Sequence, residues 1–455
     1  MKMKDIYISL LAFTAMGAAS CRKYVEVKQP NQREFIYVAD FQRLLNNVSV
    51  FEVTSSLPLL SADDVEIGPN PNMERLLTNE LKNIYTWAAE YYTSDQSDAG
   101  WDQLYKQVYT CNQVTANVMA SDGTDALKRS AYAEAQMQRA ATYLTLVNLY
   151  ARPYNPATAA TDPGLPLLLS PDLFVPLNRA SVKQVYDQIL LDINQALPLL
   201  PQVPSNNLHP GKAAGYALLA RTYLYMGQFA EAADNAAKAL AVQNTLLDLN
   251  EYVSGGKSYP RRLDNPEVIM NKKVSKPGTV TLPLSAELLN KFTPEDLRYA
   301  LFTKDGSTFQ PAFTGRGSFR DRMFANDGIL AGLSVPETML TAAEGLARTG
   351  KTADAMTLVN NLRKKRLATG KYVALTASGA DEALRIVIDE RRRELIGTGL
   401  RWFDQRRLSL ESNMAETETR VFGGVTNTLQ PGDRYVYPIP PKNIELNPEL
   451  TQNQR

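Results

Sequence analysis

The chain has 455 residues, enough by length for a sizeable core and more than one domain. Its 49 basic and 48 acidic residues leave a net charge of +1, so nothing electrostatic points to nucleic acid as a partner. One histidine, His209, excludes histidine metal clusters and leaves a single turn residue, in "NNLHPGK", for any Ser-His or Cys-His chemistry.

Residues 1–20, "MKMKDIYISLLAFTAMGAAS", read as an export signal. Lys2 and Lys4 precede an apolar run, Ile6 to Ala19, well short of the ~20 residues that span a bilayer. Small residues Ala18, Ala19 and Ser20 then lead into Cys21, as in a relaxed lipobox with Ala18 in the usual leucine place. The expectation is a lipoprotein: Cys21 becomes the acylated N-terminus and residues 21–35 a polar tether. Several acyl chains anchor stably because each buried methylene contributes ~0.8 kcal/mol. The second cysteine, Cys111, then has no partner, and its apolar neighbours at helical spacing predict a buried thiol.

Residues 22–100 read as short helical pieces and turns. Helical periodicity then dominates over 101–119, 131–150 and 182–200, the last ended by Pro198 and Pro201. "GYALLARTYLYMGQFAEAADNAAKAL" at 215–240 matches a tetratricopeptide repeat, two antiparallel helices joined at a glycine turn. Tyr216, Leu219 and Tyr223 form its stripe, and Ala220 and Ala232 allow close approach. Residues 244–333 lack long periodicity and read as a loop-rich insertion, which in a solenoid maps to one face, often the binding face.

"GLARTGKT" at 345–352 fits the phosphate-loop pattern at Gly345, Gly350, Lys351 and Thr352, and "RIVIDE" further on looks like its magnesium-holding strand. A phosphate loop must follow a buried β-strand. Here the lead-in "PETMLTAAEGLA" has helical spacing and starts at a capping box, Ser334 to Glu337. Ala343, Leu346, Gly350 and Ala355 also repeat Ala220, Tyr223, Gly227 and Ala232 at a constant offset of 123 residues. Gly350 is therefore expected in a helix–helix turn. Leu384, Val387, Ile388 and Leu395 likewise make "RIVIDE" part of an amphipathic helix. Residues 412–455 read as loop. The expected fold is dominated by α-helix, with about four tetratricopeptide-like pairs carrying long loop insertions, in one domain over 36–455.

"DERRRELIGTGLRWFDQRRL" resembles the hallmark of the SusD/RagB family, through Glu390, Arg391, Arg392, Glu394, Leu395, Gly399, Arg401, Trp402, Asp404 and Arg407. The ending is similar to the family's close, through Pro438-Ile439-Pro440, Asn447-Pro448 and Gln452-Asn453. Trp101, Tyr105 and Asn112 resemble its upstream pattern, so the resemblance spans nearly the whole chain. Thr398, where the family often has Glu, and "GLSVPE", where many members have an arginine, are departures. The resemblance implies a binder rather than an enzyme, without cofactor or catalytic residues. It implies an outer-membrane lipoprotein, anchored by Cys21, that captures glycan, or in some members peptide, for a SusC-type TonB-dependent barrel. A surface glycoside hydrolase is the enzymatic rival, but no spacing among the 48 acidic residues singles out its two carboxylates.

The "ERRREL" charges are expected to lace a helix face, and Trp101 and Trp402 to be core. Ligand contacts are expected from Trp87, Tyr91 and Tyr92, just before the first long helix pair, because sugar C–H faces stack on aromatic planes while hydroxyls need polar partners. Asp63 and Asp64 would supply carboxylates. Phe309, Phe313, Arg316, Phe319 and Arg320 in "TFQPAFTGRGSFRDR" would supply rings and guanidiniums. No metal ligand is expected.

Overall fold

The computed structural model describes residues 35–253, 256–274, 282–319 and 328–455. The export signal, Cys21, all of the tether but its last residue, and Arg320 lie outside the described residues. Ten helices of eight residues or more are found among the described residues: α1 Val38–Leu45, α2 Ala99–Asn117, α3 Asp125–Tyr150, α4 Val182–Ala196, α5 Lys212–Tyr225, α6 Phe229–Val242, α7 Val335–Arg348, α8 Thr352–Arg363, α9 Ala380–Glu394 and α10 Leu400–Leu408. Strands are short and occur as two-stranded pieces.

Four of the long helices, α2, α3, α4 and α7, begin where a side chain satisfies free amides of the first turn. Asp98 accepts from the Gly100 amide at 2.7 Å ahead of α2, and Thr124 caps α3. Ser181 and Gln184 form a reciprocal capping box on α4. At α7 only half of the expected box is made. Ser334 accepts from the Glu337 amide, but the Glu337 carboxylate is taken by Arg221, whose Nε donates to Oε1 at 2.7 Å. A buried ion pair outcompetes the cap.

The helices pack as a continuous series. α2 lies on α3, α3 on α4, α5 on α6, α6 on α7, and α7 on both α8 and α9. The close approach expected at Ala220 is made: Ala220, Ala236 and Ala342 meet where α5, α6 and α7 converge. "GLARTGKT" supplies one of two equivalent helix–helix turns and no phosphate loop. Gly350 at φ +81° and Gly227 at φ +73° occupy equivalent left-handed turns, where an L-residue is strained. Gly345 lies inside α7 for a different reason: a Cβ there would sit 2.4 Å from the Phe229 carbonyl oxygen of α6. "RIVIDE" is part of α9, as its spacing implied.

The largest apolar cluster draws on residues from Leu57 to Leu450. Trp101 and Trp402 are in it, with Trp402 against Tyr435 and Tyr437 at 5.1 and 5.8 Å between centroids. Cys111 is buried and free, in a smaller cluster with Phe41 and Val114, and burial pushes its thiol up to about 12. The insertion leaves and rejoins the helical series through two short antiparallel ladders, Val268–Met270 against Leu333–Ser334 and Lys273–Val274 against Ile329–Leu330. The tail expected as loop instead contains a hairpin, Glu418–Phe422 paired with Val425–Leu429. Its two-residue turn is Gly423-Gly424, both at positive φ. "Gly-Gly" between β-prone runs is a hairpin signal that a reading for helical period passes over.

Candidate functional site

The signature "ERRREL" is not laced mainly along its own helix. Arg393 to Glu390, at 2.6 Å, is an in-helix pair. The other charges reach outward. Glu390 meets Arg298 at 2.8 Å, and Glu394 meets Arg298 at 2.8 Å and Arg366 at 2.9 Å. Arg391 meets Asp404 of α10 at 2.8 Å. Arg392 meets Asp63 at 2.9 Å, Asp64 at 2.7 Å, and Glu287. α9 is thereby tied to the insertion, to α10 and to the N-terminal segment. These ions are nearly all buried, so breaking one leaves an uncompensated charge.

On the outer side of this lattice lies a cleft of about 80 Å³ between α9, α10 and the tail hairpin. Arg401 grips Asp63 with two hydrogen bonds, 2.8 and 2.7 Å. Burial pushes the Asp63 carboxyl up, but Arg401 and Arg392 outweigh it and hold it below its usual value. Its neighbour Asp64 goes the other way, raised by burial despite Arg392. Gln405 of α10 accepts from the Asp63 amide at 3.2 Å and donates to Glu418 at 3.3 Å. Burial and the nearby Asp63 charge push Glu418 up to about 7. Tyr435 lines the same cleft, 2% exposed, and its hydroxyl makes no hydrogen bond among the described residues. Lys291 and Asp389, paired at 2.8 Å, close the open edge.

Carboxylate oxygens of Asp63, Glu287 and Glu418 lie within 4.8 Å of one another, a donor set of the kind that suits a hard cation. Arg392 and Arg401 already neutralise Asp63, and Arg392 also takes Glu287, so a cation would have to displace guanidiniums. The cleft is better equipped for hydroxyl groups. It offers an amide, a phenol, a carboxyl near neutrality and an ammonium within one concave surface.

The structure separates the residues singled out by sequence. Asp63 and Asp64 lie behind the arginines that line the cleft, as their buried partners rather than as free acceptors. Trp87 is 0% exposed: its indole N–H donates to the Ser61 carbonyl at 2.9 Å, and the Arg420 guanidinium covers the ring at 4.2 Å. Tyr91 and Tyr92 are buried too, with Tyr92 donating to Asp98 at 2.6 Å. Aromatic residues in a polar stretch looked like a ligand platform; their polar tips found internal partners and their faces were free to pack. Phe309 and Phe313 stack on each other at 5.6 Å, also buried. Arg316 covers Tyr299 at 4.2 Å and donates to Thr303 at 2.5 Å. Phe319 stays partly exposed under Lys304. Glu418, Gln405, Tyr435 and Lys291 were not singled out. Gln405 sits inside a stretch read as architectural, Glu418 and Tyr435 in a tail read as loop, and Lys291 in the insertion.

A helical-repeat series, an ion-pair lattice around "ERRREL" and a tail folded back onto α3 define the class of protein. In that tail, Asn453 donates to the carbonyls of Tyr150 and Tyr437, both at 2.8 Å. Two family models match the chain: one described as starch-binding associating with outer membrane, over residues 23–224, and one described as SusD family, over residues 336–455. The chain belongs to the SusD/RagB family. It is 24% identical to SusD-like protein P2 of Formosa agariphila, with 100% of this chain and 99% of the relative covered. A SusD superfamily structure from Bacteroides thetaiotaomicron is similar at a TM-score of 0.75 and 21% identity, over 92% of this chain and 100% of that one. A laminarin-binding SusD-like protein is similar at 0.63 and 16% identity, over 91% of this chain and 98% of that one. Among the described residues no helix is long and apolar enough to cross a membrane.

Proposed function

We propose that this protein is a glycan-binding lipoprotein of the outer membrane, anchored through Cys21, which hands its ligand to a SusC-type TonB-dependent barrel. The observation that carries the reading is the pair of family matches, over 23–224 and 336–455, one of them described as starch-binding. The export signal ending at Cys21 supports the anchor, and the laminarin-binding relative of the same fold supports a glycan over a peptide. The cleft of Gln405, Glu418, Tyr435 and Lys291 provides the polar contacts. The half-exposed Arg316 and Phe319, with Arg320, remain proposed contacts from the insertion, while Trp87, Tyr91, Tyr92, Phe309 and Phe313 are buried and are proposed to act only through packing. A binder is favoured over a hydrolase because Asp63 and Glu287, the carboxylates beside Glu418, are held by arginine.

The test is calorimetry of the protein against a panel of starch- and laminarin-type oligosaccharides and peptides, with purification from outer membranes alongside. A glycan should bind, Tyr435→Phe and Gln405→Ala should each weaken it about fivefold to tenfold by removing one hydrogen bond, and a large β-barrel should co-purify. Cys21→Ala should release the chain from the membrane. Absence of both a glycan ligand and a barrel partner sinks the proposal.

A further inference from the structure

The one histidine was left without a role, and it opens onto a second concave surface that shares no residue with the cleft above. This groove measures about 220 Å³, larger than the cleft beside Tyr435. Its floor is apolar: Leu45 at the end of α1, Phe51 in the short helix Val48–Phe51, and Leu208. Val48 adds an aliphatic surface that is 47% exposed. Its two walls come from distant parts of the chain, residues 45–52 and 206–209, and are joined through Asn271. The Asn271 amide donates to the Asn207 carbonyl at 2.7 Å, and its side chain donates to Glu52 at 2.6 Å. The groove is therefore preformed rather than assembled by a ligand.

Its polar rim is incompletely used. Asn46 accepts from Gln42 through Oδ1 at 3.0 Å, which leaves its Nδ2 without a partner among the described residues. Asn206 accepts from the Leu208 amide through Oδ1 at 2.9 Å and leaves its Nδ2 in the same state. His209 is fixed by Nδ1, 2.7 Å from Glu134 Oε1, and its Nε2 is free. Glu134 is itself held by Gln42 at 3.1 Å. A ring nitrogen oriented by a carboxylate behind it presents the other nitrogen in one direction. Nε2 accepts when the ring is neutral and donates when it is protonated. The anionic wall residue Glu52 is already neutralised by Arg262 at 3.2 Å and Lys273 at 3.1 Å.

We infer that this groove is a second ligand site, for a single neutral pyranose ring. An apolar floor matches the C–H face of such a ring. Two amide donors and an imidazole that can take either role match hydroxyls, which both donate and accept. At about 220 Å³ the groove falls below the ~300–1,000 Å³ of pockets that enclose drug-sized ligands, which suits one ring. Glu52 is neutralised by Arg262 and Lys273 and His209 is paired with Glu134, so no unpaired cation among the described lining residues offsets the desolvation of an acidic sugar. The inference takes only its choice of ligand class from the proposed function; its geometry is independent.

A single histidine gives a single imidazole resonance, so the site carries its own reporter. The full-length protein, isotopically labelled at histidine, is titrated with methyl β-glucopyranoside and, separately, with glucuronate. The His209 signal should shift saturably with the neutral sugar, at millimolar affinity, and at least tenfold more weakly with glucuronate. Asn46→Ala and Asn206→Ala change exposed residues and should each weaken the shift about fivefold to tenfold with only a small fall in thermal midpoint. Tyr435→Phe, in the other cleft, should leave it untouched. No saturable shift, equal response to glucuronate, or a shift that survives both asparagine variants overturns the inference. Failure here leaves the calorimetric test of the cleft standing, and failure there leaves this one standing.

Discussion

Trp87→Ala separates a packing role from a ligand-stacking role. The indole is fully buried, and large-to-small changes of this kind cost ~3–5 kcal/mol through lost transfer energy and the cavity left behind. The hydrogen bond to the Ser61 carbonyl, worth about 1 kcal/mol, is lost as well. Arg420 loses the ring it covers at 4.2 Å, a further contribution of about 1 kcal/mol where the pair is desolvated. Position 87 keeps its backbone at φ +52°, so alanine recovers none of that strain. The terms overlap, and about 5 kcal/mol is the expected loss, a large share of the 5–15 kcal/mol that holds a typical domain together. Followed by far-UV circular dichroism in urea, the midpoint should fall by about 1.7 M for a slope of ~3 kcal/mol/M. Trp87→Phe should lose only the hydrogen bond and part of the ring contact, about 1–2 kcal/mol. A Trp87→Ala protein with the parent's midpoint that no longer binds glycan would refute this reasoning and return Trp87 to the ligand surface.

Glu418 has its pKa raised to about 7 in the fold, against an ordinary 4.5. The folded state then binds more protons between those values, so stability should fall as pH rises from 4.5 through 7. Glu418→Gln should remove that fall and leave the protein more stable than the parent at pH 8; parallel stability–pH curves for the two would contradict the assignment. Gly350→Ala should cost about 1–2 kcal/mol from the left-handed backbone alone, because no atom lies within 4 Å of the added methyl. Lys351→Ala, on an exposed residue, should change stability by under about 0.5 kcal/mol, and calorimetry with magnesium-ATP should be silent for parent and variant alike. A nucleotide signal that Lys351→Ala abolishes would restore the phosphate-loop reading.

The helical series was legible because its period is local. The stripe of α4 and the repeat at offset 123 need only neighbours three and four apart, and the turn glycines at 227 and 350 announce themselves by residue type. What sequence misplaced were residues whose meaning depends on distant partners. Trp87 and Tyr92 sit among polar residues, yet their tips end on Ser61 and Asp98, contacts that no spacing rule supplies. Glu337 fitted a capping box, and lost that role to an arginine 116 positions away.

The same logic explains why the signature charges could be recognised as architectural but not read in detail. Spacing within "ERRREL" allows pairing along a helix, which is worth a few tenths of a kcal/mol on a solvated face. Burial changes the accounting. Glu390 and Arg298 are both 0% exposed, so each must meet opposite charge at short range or be expelled. Of three consecutive arginines on one buried helix, Arg393 is met within the helix by Glu390, while Arg391 and Arg392 draw carboxylates from other elements, Asp404 to the first and Asp63 and Asp64 to the second. That requirement draws the N-terminal segment and α10 to the same place, and the cleft is the surface left outside them. Asp63, expected to touch ligand, instead fixes Arg401 and Gln405, and through Gln405 orients Glu418. A residue that positions the cleft and a residue that lines it thus lie one hydrogen bond apart, a distance sequence alone cannot resolve.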